Sequence, residues 1–507
     1  MTCRFGLLGT VAVGALLVAG AAQAQLSAED VWNQWRGYSE GMGQTITVGS
    51  ESKVGGTLTL QDVVIAALVP EEDITVTMTI GEISLSEQAD GRVAISMSDS
   101  YPLSVHMPEM AEGDMLEATI SHPGLSMTAG GQPGSIQYEF SAPSLTVALT
   151  ALRAMGEDIP AVFRLGFSQM SGNYLMSDEG IGSIVSETDI GAVEAVVQFE
   201  DPSGFSSVDL NASFAGISAS SRATGFDLFD PEDIGNALRN GFSFMFHLSS
   251  QKSSVNVEVV DWGDETRIST TAAEAGLRIE LSRDLVAYST NSRDVAISLA
   301  GDEIPFPTLD ISMARNDLWL SLPLSATDAP AQSSVGLRIE DLVLDPEVWE
   351  MVDPFGAFPR DPITAIADLT AEVQLSGNVY DDDMMFAMMM FGPMALGELS
   401  MVELRELRLS AVGAELTGDG RFTFDNNDME TFPGFPRPTG ALNLRLLGGN
   451  TLLDKLIDMG MVPADEAMGM RMMLGLFARP GPGEDELTST LEVREDGAVL
   501  ANGQRIQ

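Results

Sequence analysis

From the first tens of residues onward, apolar and polar side chains alternate with a period of two. Ile74, Val76, Met78 and Ile80 take turns with Thr75, Thr77 and Thr79, which puts aliphatic groups on one strand face and threonine on the other. The same pattern recurs at Leu58/Leu60, Ile83/Leu85, Val255/Val257/Val259, Leu277/Ile279/Leu281 and Val295/Ile297/Leu299. It returns at Leu318/Leu320/Leu322, Leu337/Ile339, Leu407/Leu409/Ala411 and Leu442/Leu444/Leu446. Ala89-Asp-Gly91, Gly418-Asp-Gly420 and Asp496-Gly497 carry turn chemistry between such runs. Antiparallel strands with one solvated face follow from this pattern. The expected fold is mainly β: elongated curved antiparallel sheets with a few short helices.

Helical signals are sparse. Ser27 caps a helix running to about Ser39, with Asp30 at its third position. Asp230-Pro231-Glu232-Asp233 looks like a cap, a first-turn proline and an acidic first turn for Ile234 to Asn240, with Gly241 beyond. Asp345-Pro346 opens a short helix bearing Trp349. Thr451 to Met459 and Pro463 to Phe477, joined at Gly460, predict a C-terminal helical hairpin before a closing strand pair. A soft boundary near Phe226–Gly241 separates an N-terminal β-rich half, 25–240, from a C-terminal one, 241–507. The strand pattern is the same on both sides, so one continuous domain over 25–507 is the competing division.

The first residues hold Arg4 and then an apolar run, followed by the small-x-small sequence Ala22-Gln23-Ala24. A signal peptide over 1–24, cleaved after Ala24, and delivery to the periplasm are expected. Cys3, the one cysteine, would leave with it, removing disulfides and thiolate chemistry. No later stretch offers the ~20 apolar residues of a membrane-spanning helix, so the mature protein is not expected to be integral to the membrane. The chain has 26 basic and 74 acidic residues, and a field of that sign repels nucleic acid and anionic lipid headgroups. Nucleic-acid partners are excluded on this ground.

Candidate chemistry is thin. No His-Glu-x-x-His pair or phosphate-binding Gly-Lys-Ser/Thr loop occurs, and the one Gly-x-Ser-x-Gly match, Gly37 to Gly41, falls at the end of the helix opened by Ser27 instead of on the strand-to-helix turn that a nucleophile elbow needs. His106, His122 and His247 are far apart, and His247 reads as a packed strand residue. Asp381-Asp-Asp383 and Asp425-Asn-Asn-Asp428 lack calcium-loop spacing and read as solvated turns. No enzyme activity, cofactor or metal is expected. The excess is methionine: Met384, Met385, Met388, Met389 and Met390 in one run, with Met468 and Met472 on the predicted hairpin. Thioethers bind Cu(I), but without histidine nearby the pattern fits adaptable apolar contact better. These seven residues are the candidate apolar ligand-binding set.

The run Trp349 to Thr364 holds Asp353-Pro354 and Pro359-Arg360-Asp361-Pro362, punctuation for a rigid corner built on Trp349, Asp353, Pro354, Pro359, Arg360, Asp361 and Pro362. It leads into Ile366-Ala-Asp-Leu-Thr-Ala-Glu-Val-Gln-Leu375. This run resembles an uncharacterised family of exported alphaproteobacterial proteins known only as a domain of unknown function. The resemblance extends through Trp319–Leu324, Gly336–Leu344, Leu407–Gly420, Pro438–Leu444 and Glu495–Gly503. It implies a mostly β periplasmic protein and supplies no catalytic residues. The strand pattern and late helical hairpin are also remotely similar to AsmA-like envelope proteins, which implies lipid handling or envelope assembly; cleavage after Ala24 would remove the membrane anchor those proteins keep. The resulting expectation is non-enzymatic binding of a lipid or another apolar partner, such as an envelope protein segment. The alternative is a scaffolding envelope protein whose apolar faces form its own core.

Overall fold

A computed structural model describes residues 25–69, 74–107, 115–154, 157–201, 203–230 and 233–507. The expected signal peptide, its cleavage site and Cys3 lie outside them, as do Pro231 and Glu232. The described strands form one antiparallel sheet, in which each long strand pairs with the next along the chain. Several lanes are split in two. Ser206–Thr224 pairs with both Ser243–Ser250 and Lys252–Asp261, and Leu285–Gly301 with both Asp264–Ala272 and Glu274–Leu281. The ladder therefore runs unbroken past residue 240. Among the described strands Gln44–Val54 pairs only with Thr57–Val69 and no ladder joins it to the C-terminal strands, so the described sheet is open.

Midway along many strands the period of two breaks once. Leu58 and Leu60 are buried on one parity, then Val63 on the other; Ile80 gives way to Ile83 and Leu85 in the same fashion. Between them the ladder skips Asp62, with φ 52°, and farther on it skips Gln169, with φ 51°. Gly216, Asp294 and Asp341, at φ 58°, 48° and 55°, repeat the device. One left-handed residue kinks the strand and resets the alternation, so apolar side chains of differing parity stay on one face. The result is a seam across the sheet that bends it without turning its apolar face outward.

That face is continuous. Tyr138, Tyr174, Ser186, Ser221, Phe246, Ile279, Tyr288, Leu320, Val335, Leu369 and Leu404 stand opposite one another in successive strands. Its N-terminal part is filled by the helix α1, Ala28–Gly41. Ser27 and Asp30 form the expected capping box, with Ser27 Oγ accepting from the Asp30 amide and the Asp30 carboxylate from the Ser27 amide at 3.0 Å. Val31 and Trp32 are buried against Leu58, Leu85 and Tyr138. Tyr138 Oη donates to Gln34 Oε1 at 3.0 Å and stacks on Tyr174 with centroids 4.5 Å apart. Burial pushes both phenols well above their ordinary pKa.

The remaining helices are short. Ile234–Arg239, α2, is capped by Asp233 rather than Asp230: the Asp233 carboxylate accepts from the Asn236 amide at 2.9 Å. Ala237, Leu238 and Phe242 bury against Phe244, Leu281, Leu324 and Tyr380 on the apolar face. Pro346–Val352 is α3, Asp382–Phe391 α4, and Gly449–Asp458 with Ala464–Phe477 the hairpin α5–α6. Gly418-Asp-Gly420, expected as a turn, lies inside the strand Ala414–Asp425. Gly418 sits between Leu407 and Leu444 across the ladder, where a Cβ would stand 2.7 Å from a Leu444 methyl; the glycine answers packing, and the reversal comes at Val412-Gly413. No described helix is long and apolar enough to cross a membrane.

The molecule exposes 29139 Å², against roughly 18,000 Å² for a compact monomer of its mass. Counting every undescribed residue as fully solvated accounts for only about 6,000 Å² of that excess. A sheet covered in places, rather than by a second layer throughout, explains the rest.

Candidate apolar site

Beyond α2 the apolar face passes over four strands, Leu309–Pro323, Ala331–Leu344, Ile363–Leu375 and Gly397–Ala411. Alternation aims Val335, Leu337, Leu369, Ala371, Val373 and Val402 to the same side, opposed in register as Val335–Leu369 and Ala371–Val402. Among the described residues this stretch is covered only in part. Leu318, Val335 and Leu369 keep 42%, 45% and 36% of their surface exposed, although strand neighbours flank them on both sides.

A partial roof comes from the chain between Leu375 and Gly397. Val379 N–H donates to Leu324 O at 2.8 Å, which pins the turn leading to α4. Asp381, just before α4, accepts from Arg239 Nη1 at 2.8 Å and Asn378 Nδ2 at 2.9 Å, so α4 is tied to α2. After α4 the single 3-10 turn Pro393–Leu396 returns to the sheet, where Ser376 donates to Leu396 O from both its amide and hydroxyl. Beneath lies a cavity of about 580 Å³, lined by the strand face together with Val379, Met388, Met394 and Leu396. That volume is in the range of ordinary small-molecule pockets. Ser333 lines it as well, with its hydroxyl buried and unpartnered by any described protein group.

The methionines expected to bind ligand divide sharply. Met388 lines the cavity. Met384 is half-buried over Gly377, where a Cβ would meet its sulfur at 2.8 Å. Met385, Met389 and Met390 turn outward on α4, a helix with no buried residue. Met468 and Met472 lie on α6, exposed and away from the cavity; α6 buries only Ala467. Met394, Ser333 and the aliphatic strand positions complete the site. The signal for the strand positions was the alternation at Leu337/Ile339; Met394 and Ser333 carried none.

The corner residues sit elsewhere. Asp345 caps α3 by accepting from the Glu347 amide at 2.8 Å, and Trp349 is buried on that helix. The fully enclosed Asp353 carboxylate accepts from the Ala357 and Phe358 amides at 2.8 and 2.7 Å. Desolvation works against its charge, but those two amides, with Arg360 and Lys455 farther off, hold the carboxyl below the usual range. Pro359 packs over Gly413, while Pro354, Arg360, Asp361 and Pro362 face solvent. The section thus takes its connection from α3 to Ile363–Leu375 from a hydrogen-bonded carboxylate.

The acidic turns are engaged by arginine. Arg437 reaches Asp425 at 2.9 Å and Asp428 at 2.8 Å. The Asn427 amide and then Arg437 lower the Asp425 carboxyl, and the Thr431 amide and hydroxyl lower that of Asp428. Among the described residues no cluster of three potential metal ligands forms. His247 faces outward rather than into packing, because the apolar face of its strand belongs to Phe244, Phe246 and Leu248.

Residues 248–506 match the profile of a family described as an uncharacterized protein conserved in bacteria (DUF2125). No curated protein and no solved structure matches the chain. The matched span contains all of the cavity and omits α1 with the section it fills.

Proposed function

The chain belongs to this uncharacterised bacterial family, so its function has to be read from its own site, and we propose that it is a non-enzymatic periplasmic protein that binds a lipid or similar apolar ligand. The observation that carries the reading is the 580 Å³ cavity on a continuous apolar face, roofed by a helix that buries none of its own side chains. A helix so placed can shift without disrupting a core. Its thioethers adapt to chains of different shape. Each acyl methylene taken from water contributes about 0.8 kcal/mol, while the strongly acidic remainder keeps the complex soluble. Arg4, the apolar run after it and the small-x-small sequence Ala22-Gln23-Ala24 support the periplasmic assignment.

Native mass spectrometry of the mature protein, purified from periplasm without detergent, tests this directly. A lipid-sized adduct is expected. Ala371→Phe, which inserts a ring into the cavity, should abolish it. A bare mass that persists after incubation with envelope lipids would end the ligand reading and favour scaffolding.

A further inference from the structure

We infer that the cavity selects apolar ligands bearing one uncharged hydrogen-bond acceptor, of the ester or carbonyl class, which the Ser333 hydroxyl anchors. The inference rests on the reading that the cavity takes an apolar ligand, and it names the class. Ser333 is 7% exposed, and its Oγ meets no donor or acceptor among the described residues. Its strand neighbour on the same face is Val335, and Ala371 stands opposite. A buried hydroxyl without a partner carries a desolvation cost that its own fold does not recover, and here it lies against a cavity large enough for a ligand. A hydroxyl rotor can donate to a carbonyl oxygen arriving from that space.

Charge narrows the class. Among the described residues no lysine or arginine lines the cavity, and the one ionisable lining residue is the exposed, acidic Glu398. A carboxylate or phosphate seated beside Ser333 would be desolvated with no cation to pair it, inside a protein of net charge −48. An uncharged ester meets neither penalty.

The test is displacement of the fluorescent apolar probe phenylnaphthylamine from the full mature chain by methyl laurate, laurate and a hydrocarbon of matching length. Methyl laurate should bind about five- to tenfold tighter than the hydrocarbon, the value of one net hydrogen bond, and laurate weakest. In Ser333→Ala the ester-to-hydrocarbon ratio should fall to about one, while the thermal midpoint of the unliganded protein holds or rises because an unpaired buried hydroxyl is gone. Equal binding of all three by the wild type, or an unchanged ratio in Ser333→Ala, overturns the inference and leaves the apolar cavity standing. Failure of all three to displace the probe overturns both.

Discussion

The section of the sheet under α1 and the section under α4 are built from the same kind of alternating strand, kinked by the same kind of left-handed residue, yet they end in opposite states. Under α1, Leu58, Leu60, Val63 and Leu85 are sealed, and every member of the largest buried cluster lies between Leu26 and Met176. Under α4, equivalent aliphatic positions such as Val335 and Leu369 remain between a third and a half exposed around a cavity. The difference is in the cover. α1 has a capping box and presents Val31, Trp32 and Trp35 along one face; α4 has no side-chain cap and, beyond Asp382 and Asp383, is apolar all round. An amphipathic helix can become part of a core, whereas a helix of methionine and phenylalanine with no preferred face only leans on one. A strand face is thus core or site according to what lies over it.

Three perturbations bear on this contrast, in falling order of effect. Trp32→Ala should cost about 3–5 kcal/mol, because it empties a sealed site, whereas Met388→Ala should cost under about 1 kcal/mol at a loosely packed surface. Urea midpoints of the two variants measure this, and similar losses would mean that α4 is as integral as α1.

The second concerns the polar fastening of the open section. The Asp353 carboxyl is depressed in the folded protein, so its stabilisation is fully present above the unfolded value of about 3.9 and is lost as pH falls through the lower folded value. Asp353→Asn should therefore be less stable than wild type at neutral pH, with the gap closing below about pH 4. Thermal midpoints across that range would show it; a gap independent of pH would assign the loss to shape instead of charge.

The smallest effect is at the seam. Gln169→Gly should raise stability by up to about 1 kcal/mol, since the left-handed cost of about 1–2 kcal/mol exceeds the entropic cost of glycine, about 0.5–1 kcal/mol. Asp341→Gly, in the open section, should gain less, because aspartate tolerates this conformation better. Thermal midpoints again decide, and a loss at Gln169 would show that its side chain is needed where it meets Gly191.

Much of the fold was legible because its causes are local. Alternation fixed strand after strand, Ser27 and Asp30 announced α1, and Asp345-Pro346 announced α3. The seam was legible too, in the parity change from Leu60 to Val63 and from Ile80 to Ile83, although turn residues are the more familiar punctuation and drew attention to Gly418-Asp-Gly420 instead. The site was legible in part. Methionine excess pointed to α4 and to Met388, but the same excess pointed equally to Met468 and Met472, which stand in solvent.

By itself the sequence determined the antiparallel strands, their single apolar face and an acidic, helix-poor surface, because period two and charge act over neighbouring residues. Only the tertiary structure decided that α1 fills one stretch of that face while α4 merely roofs another, and that Ser333 is left without a partner inside. Those outcomes depend on contacts between segments far apart in the chain, such as Gln34 with Tyr138 and Arg239 with Asp381, and no local pattern encodes which of two equally apolar faces will find a helix shaped to seal it.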